Sequence, residues 1–187
     1  VYGALGEYSA NIDADYYQAI RYLYKGIELA QQKRNRRQYG LMLSQLANTY
    51  YLKRDGGGLK YALESYELGC ELNDSYLIYS GAIQSAYMYF LNKQHTQAMA
   101  YVQEAETLMK KNKFYDQAHT FNLLGQLLYE LGDYPQAIEY YRKAMKDKQT
   151  SQTSSVIYAY LGYARVLMKQ NNYQEATTLL KQGIAIS

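Results

Sequence analysis

The chain has 187 residues and a formal net charge of +3, from 20 Lys and Arg against 17 Asp and Glu. This balance excludes an acidic tail and gives no support to nucleic-acid binding through net charge, and a hydrophobic content of 48% excludes a disordered chain. One cysteine, Cys70, excludes an internal disulfide framework, and a single Pro with 23 Leu against 4 Val favours helix over strand.

Apolar residues recur at helical spacing along the whole chain and predict ten helices. The first pair covers about 2–12 and 16–33, broken at Asp13-Ala14-Asp15. The second covers about 37–53 and 59–72, joined through Arg54-Asp55 and the triplet Gly56-Gly57-Gly58. That triplet lacks both the preceding strand and the Lys-Ser or Lys-Thr ending of a phosphate loop, so it reads as an expanded turn. Asn73-Asp74 leads into helices at about 75–93 and 96–111, with Lys93-Gln94-His95 between them. Helices at about 115–131 and 135–147 are split by Gly132-Asp133, and Pro135 sits in a first turn, where its missing N–H is tolerated. The last two, about 154–170 and 173–186, meet at Asn171-Asn172. No run of about 18 apolar residues reads as a membrane span, and no basic stretch followed by an apolar run marks a signal peptide. The sequence starts at Val1 rather than Met and stops within a helical pattern, which reads as a piece of a longer protein. Cytoplasm and periplasm both remain open as its compartment.

The helices organise into a repeat of about 39 residues. Its clearest copy carries Phe121, Leu124, Gly125, Leu128, Gly132, Tyr134, Ala137, Tyr141 and Ala144. One step onward stand Tyr160, Ala164, Leu167, Tyr173, Ala176, Leu180 and Gly183. One step back stand Ala82, Ala86, Tyr89, His95, Ala98, Val102 and Ala105. Before those come Leu46, Ala47 and Tyr50, then Ala62, Tyr66 and Gly69 after the glycine triplet. Leu5-Gly6 with Tyr16, Ala19, Leu23 and Gly26 form a fifth copy.

This set resembles the tetratricopeptide repeat (TPR) family, in a long-repeat variant. The resemblance implies an all-α fold: a right-handed α–α superhelix of about five helix–turn–helix repeats. The expected units are about 1–35, 36–74, 75–113, 114–152 and 153–187, forming a single array over 1–187. No unit buries its apolar face alone, so a bulky residue at Gly125 or Ala137 is expected to overpack the array.

The same resemblance places the first helix of each unit on a concave groove, with four helix positions supplying ligand contacts. These fall on Leu41, Ser80, His119 and Tyr158; on Ser44, Ile83, Asn122 and Leu161; on Asn48, Tyr87, Gln126 and Arg165; and on Tyr51, Phe90, Tyr129 and Met168. The candidate partner-binding groove is Asn48, Tyr51, Tyr87, Phe90, His119, Asn122, Gln126, Tyr129, Tyr158 and Arg165. Amides can both donate to and accept from a peptide backbone, and tyrosines offer flat apolar area with polar tips. Tyr51 and Tyr129 serve equally well as packing between first helices. Asn48 and Asn122 read as exposed, because a buried amide needs several partners. A clamp for acidic chaperone tails needs Lys and Arg on successive first helices. Only Arg165 stands at such a slot, with Lys169 one turn on, so that partner is not expected.

The remaining features read as structural. His95 fills a Tyr packing slot, Cys70 reads as a small core residue, and two histidines without neighbouring cysteines make no zinc site. The basic groups Lys33-Arg34 with Arg36-Arg37, Lys110-Lys111 with Lys113, and Lys143, Lys146 and Lys148 suit helix C-termini rather than a nucleic-acid edge. No catalytic constellation, metal site or cofactor motif is found.

The expectation is therefore a non-enzymatic protein–protein interaction module that takes a peptide or helix from a partner protein. It would contact no nucleic acid directly and insert nothing in a membrane. The alternative is a sensor or regulatory region of a larger bacterial signalling protein, its histidine kinase or DNA-binding effector lying outside this chain. End units without a polar capping helix expose apolar surface, so a homodimer through the terminal repeats is a further expectation.

Overall fold

The computed structural model of the chain describes residues 1–112, 117–146 and 153–186. Among these, ten α-helices follow one another: α1 (Tyr2–Asn11), α2 (Tyr16–Gln32), α3 (Arg36–Leu52), α4 (Leu59–Leu72) and α5 (Ser75–Leu91), then α6 (His95–Asn112), α7 (Gln117–Glu130), α8 (Tyr134–Lys146), α9 (Thr153–Lys169) and α10 (Tyr173–Ile184). The glycine triplet forms a single 3-10 turn, Gly56–Gly58, between α3 and α4. Helix ends fall within two residues of those expected. The expected extensions to 115 and 147 lie outside the described residues, as do Lys113 and Lys148.

The regularity begins in the turns. Arg34, Arg54, Asn73, Lys93, Gly132 and Asn171 each adopt the left-handed conformation just past a helix end. The N–H of the following residue then returns to a carbonyl five residues back, as from Asn35 to Ala30, Asp74 to Gly69 and Asp133 to Leu128. This closes the helix with an otherwise orphaned acceptor. That same following residue caps the next helix: Asn35 accepts from the Gln38 N–H at 3.0 Å, and Asp74 from the Tyr76 and Leu77 N–H groups at 3.0 Å. Asp133 and Asn172 do likewise for α8 and α10. One dipeptide ends one helix and starts another, which explains why the connections are so short.

The chain divides into two compact units, Val1–Leu108 and Met109–Ser187. In the first, α1 to α5 pack in succession, and the alternate helices α1, α3 and α5 also touch. Leu23, Ile27, Met42, Leu43 and Leu46 form one buried cluster, flanked by Ile20, Tyr39, Tyr50 and Tyr61. Ala47, Ala62 and Met88 form another. In the second unit α7 to α10 pack in succession, and α7 also touches α9. Leu123, Leu127, Ala137, Tyr141, Ala144, Val166 and Ala176 lie buried there. The repeated small residues do what their size suggests: Ala47, Ala62, Ala86, Ala98, Ala137 and Ala164 are fully buried. One expectation is corrected. Cys70 is exposed, not core. It follows the inward-facing Gly69 on α4 and shares its solvent side with the exposed Glu67 and Glu71.

Candidate functional site

The candidate surface is the face made by the first helices of successive repeats. In the first unit it begins with a rung of two hydroxyls, Ser44 on α3 and Ser80 on α5, whose Oγ atoms lie 2.6 Å apart. Ser44 and the neighbouring Ile83 are buried, so in the first unit these two residues lie in the interior. The next rung is aromatic. Tyr51 and Tyr87 meet at 4.4 Å between ring centroids, and the Arg54 guanidinium lies 5.6 Å above the Tyr51 ring. Tyr87 is only 8% exposed, so it forms a wall and not the projecting contact that its slot suggested. Stacking against a neighbouring first helix removes the ring from water. Asn48, one turn before Tyr51, is half-buried, and its amide makes no hydrogen bond among the described residues.

Phe90 and Tyr129, 39 residues apart, make equivalent contacts. Phe90 stacks on His95 at 5.6 Å, and Tyr129 lies 5.7 Å from Tyr134. Each of these aromatics covers the turn of its own repeat, which is the packing role expected for His95.

In the second unit Asn122 is not a freely presented amide. Its Nδ2 donates to the Ser155 carbonyl, tying α7 to α9, and its Oδ1 is buried without a partner. Arg165 lies 4.7 Å over the Tyr129 ring and 3.8 Å from the Glu130 carboxylate. Gln126 and His119 are half-buried, and Tyr158 is 64% exposed.

Two residues escaped the sequence reading. Gln45 on α3 and Gln84 on α5 are one repeat apart, and the Oε1 of each is buried without a hydrogen-bond partner. The 39-residue spacing was the signal that could have found them.

A cleft of about 570 Å³ lies elsewhere in the first unit, lined by Gln31, Arg36, Tyr39, Glu64, Glu67 and Glu71 among others. Two of its carboxylates are engaged within the cleft. Arg36 pairs with Glu71, and the Tyr39 hydroxyl donates to Glu64. Burial, then that bond to a carboxylate, push the Tyr39 pKa up to about 12. Of the basic groups, Lys110 and Lys111 stand in the last turn of α6 and Lys143 and Lys146 in that of α8, as expected. Arg36 and Arg37 instead stand in the first turn of α3 and not at a helix C-terminus; there acids offset them, Arg36 pairing with Glu71 and Arg37 with Asp74 at 2.5 Å. Among the described residues no three His, Cys, Asp or Glu side chains cluster as metal ligands, and no helix is long and apolar enough to cross a membrane.

Two family models, each described as tetratricopeptide repeat, match residues 78–150 and 128–186, together more than half of the chain. No curated protein sequence matches it. Among solved structures, the chain is similar to BtubC (BKLC) from P. vanneervenii, with a TM-score of 0.74 at 16% identity, covering 99% of this chain and 80% of that one. It is similar to a Rap protein complexed with Competence and Sporulation Factor, with a TM-score of 0.89 at 17% identity. That match covers 99% of this chain, which spans about half of the Rap chain (52%). It is also similar to MamA, with a TM-score of 0.59 at 21% identity, covering 97% of this chain and 94% of that one. At these identities the structural likeness is one of fold. Family models and fold agree: the chain belongs to the tetratricopeptide repeat family.

Proposed function

We propose that the chain is a non-enzymatic protein–protein interaction module whose first-helix faces bind a peptide or a partner helix. We read residues 1–187 as one array with repeat borders near 36, 75, 114 and 153. The observation that carries the reading is the side-by-side packing of first helices within each unit, which in the first unit brings Ser44 against Ser80 and Tyr51 against Tyr87, pairs from adjacent repeats 36 residues apart. A rigid face results, with amides beside aromatic walls. In the first unit Asn48 stands next to the Tyr51–Tyr87 wall, with Phe90 beyond. In the second, His119, Gln126 and Tyr158 accompany Tyr129, Asn122 and Arg165. Gln45, Gln84 and Asn122 each hold an acceptor without a partner. Such a group costs about 1–3 kcal/mol when buried, so a donor from a bound backbone that reached one would be rewarded.

A second reading is favoured by one finding. The Rap structure matches nearly all of this chain over only half of its own length. This chain would then be the sensor or regulatory region of a larger bacterial signalling protein, coupled to a histidine kinase or a DNA-binding effector. Flanking sequence encoding such a domain would decide for it.

The test of the binding face is a random peptide display library panned on the purified chain. Enriched peptides are expected to bind roughly 3- to 10-fold more weakly to Asn48→Ala and to Gln126→Ala, the worth of one hydrogen bond each. No enrichment, or enriched peptides that bind both variants as well as the parent, would overturn the proposal.

A further inference from the structure

The cleft of about 570 Å³ in the first unit lies between two consecutive repeats, apart from the first-helix face and rather than on α1 or α10. The end of α2, the turn after it and the start of α3 form one wall, and α4 forms the other. Its floor is apolar, with Ala30 and Leu68 both buried. Glu64, Glu67 and Glu71 line it from α4, at the three- and four-residue spacing that keeps side chains on one side of a helix.

Two of these three carboxylates brace the walls. Glu71 pairs with Arg36, and Glu64 accepts from the Tyr39 hydroxyl, so both tie α4 to α3. Gln31 on α2 bonds to the same hydroxyl. The cleft is therefore held in shape before any ligand arrives. Two charges are left over, the Arg34 guanidinium beside α2 and the Glu67 carboxylate on α4. Neither makes an ion pair or a side-chain hydrogen bond among the described residues, and unlike Arg36 and Glu71 they do not meet each other.

The repeat itself does not require these charges. One repeat onward, the turn and the first helix step by 39 residues, and the second helix by 36 because the glycine triplet adds three. Arg34, Arg36 and Tyr39 then become Asn73, Ser75 and Ile78. Glu64, Glu67 and Glu71 become Ala100, Gln103 and Thr107. Every charge of the cleft is lost there, yet α4 still packs on α5 as α2 packs on α3.

We propose that this cleft binds a free α-amino acid with an apolar side chain. Glu67 takes its ammonium group, Arg34 takes its carboxylate, and the floor of Ala30 and Leu68 receives its side chain. A zwitterion supplies both missing partners in one small molecule, whereas the interior of a peptide chain carries neither charge on its backbone. The planar fork of a guanidinium matches a carboxylate. The volume falls within the range of about 300–1,000 Å³ common to small-molecule sites.

Titration of the whole chain, followed by amide chemical shifts in NMR spectra, tests this with three probes. These are L-leucine, isoamylamine (leucine without its carboxylate) and isocaproate (leucine without its amine). Leucine is expected to bind roughly 10-fold more tightly than either analogue, the low end for a charge-assisted hydrogen bond. Glu67→Gln should weaken leucine by roughly 10-fold and leave isocaproate unchanged. Arg34→Gln should weaken leucine by a similar factor and leave isoamylamine unchanged. The unchanged probe in each variant reports that the cleft still folds. Absence of leucine-induced shifts at millimolar concentration would overturn the proposal. So would an analogue that binds as tightly as leucine, which would mean a site for a single charge, or variants that bind leucine as the parent does.

Discussion

Replacing Gly162 by Ala tests whether close approach, rather than chain flexibility, dictates glycine where α9 seats on α8. An added Cβ would stand 2.3 Å from Tyr141 Cε1, 2.4 Å from Cζ and 2.8 Å from the hydroxyl oxygen. Ordinary contact begins near 3.4 Å, so the ring would have to retreat by about 1 Å. It has nowhere to go. Tyr141 is 3% exposed, and Gly125 on α7 crowds the same ring edge, with a Cβ there falling 2.7 Å from Cε1. Overpacking of this kind costs about 1–3 kcal/mol, and overlap this deep belongs to the upper part of that range. Helix propensity opposes it, since Ala is better than Gly in a helix interior by up to about 1 kcal/mol. The net expectation for Gly162→Ala is a loss of about 1–2 kcal/mol. With a urea slope of about 2 kcal/mol/M, the midpoint moves down by roughly 0.5–1 M. Urea titration followed by far-ultraviolet circular dichroism measures it. The decisive comparison is the background Tyr141→Leu, which removes the ring edge. There Gly162→Ala should be neutral or stabilising, because only the propensity gain remains. A higher midpoint for Gly162→Ala in the parent, or an equal loss in both backgrounds, would refute the reasoning.

Two further outcomes follow from the turns. Lys93 holds a left-handed φ of 58°, a conformation that costs a side-chain-bearing residue roughly 1–2 kcal/mol, so Lys93→Gly is expected to raise the melting temperature by calorimetry. Its net gain is about 0.5–1 kcal/mol after the entropy that Gly adds to the unfolded chain. Asp74→Ala removes the cap of α5 and should cost about 1–2 kcal/mol near neutral pH. Burial raises the Asp74 pKa, but the Leu77 N–H, the Arg37 guanidinium and the Tyr76 N–H outweigh it and hold the group below its ordinary 3.8. A depressed carboxylate stabilises the fold fully above its unfolded value, and that share is lost as pH falls through the folded value. The difference in urea midpoint between parent and Asp74→Ala should therefore stay constant down to about pH 4 and narrow below it. A difference unchanged at lower pH would contradict the assignment.

The fold was legible because its punctuation is local. Asn73-Asp74, Gly132-Asp133 and Asn171-Asn172 each contain both a residue that tolerates the left-handed turn and a residue that caps a helix, so the sequence marks both ends at once. Binding surfaces lack such marks. Tyr87 and Tyr158 occupy equivalent kinds of slot on first helices, yet one is walled in against Tyr51 and the other stands in solvent. Which of these happens depends on the residue that the adjacent first helix presents, a contact between segments about 36 residues apart that periodicity does not encode. Asn122 illustrates the same point. An amide suited to a ligand backbone is equally suited to the Ser155 carbonyl, and the nearer partner captured it. Cys70 was misplaced for a simpler reason: one step past Gly69 on a helix turns a side chain by about 100°, enough to carry it from core to water.

The left-handed turn with its five-residue closing bond also bears on how the chain reaches its native state. Each such bond joins groups within a handful of positions, and the cap that follows spans three more. A helical hairpin closed this way needs no distant segment to define its register, and it forgoes most of the loop-closure entropy that slows sheet proteins. Each pair of helices can form as soon as its own turn does. The long-range ordering that remains is the seating of one hairpin on the next, where Gly162 meets Tyr141. Substitutions at the turns should therefore act mainly on the folding rate. Those at the seats should act mainly on the unfolding rate.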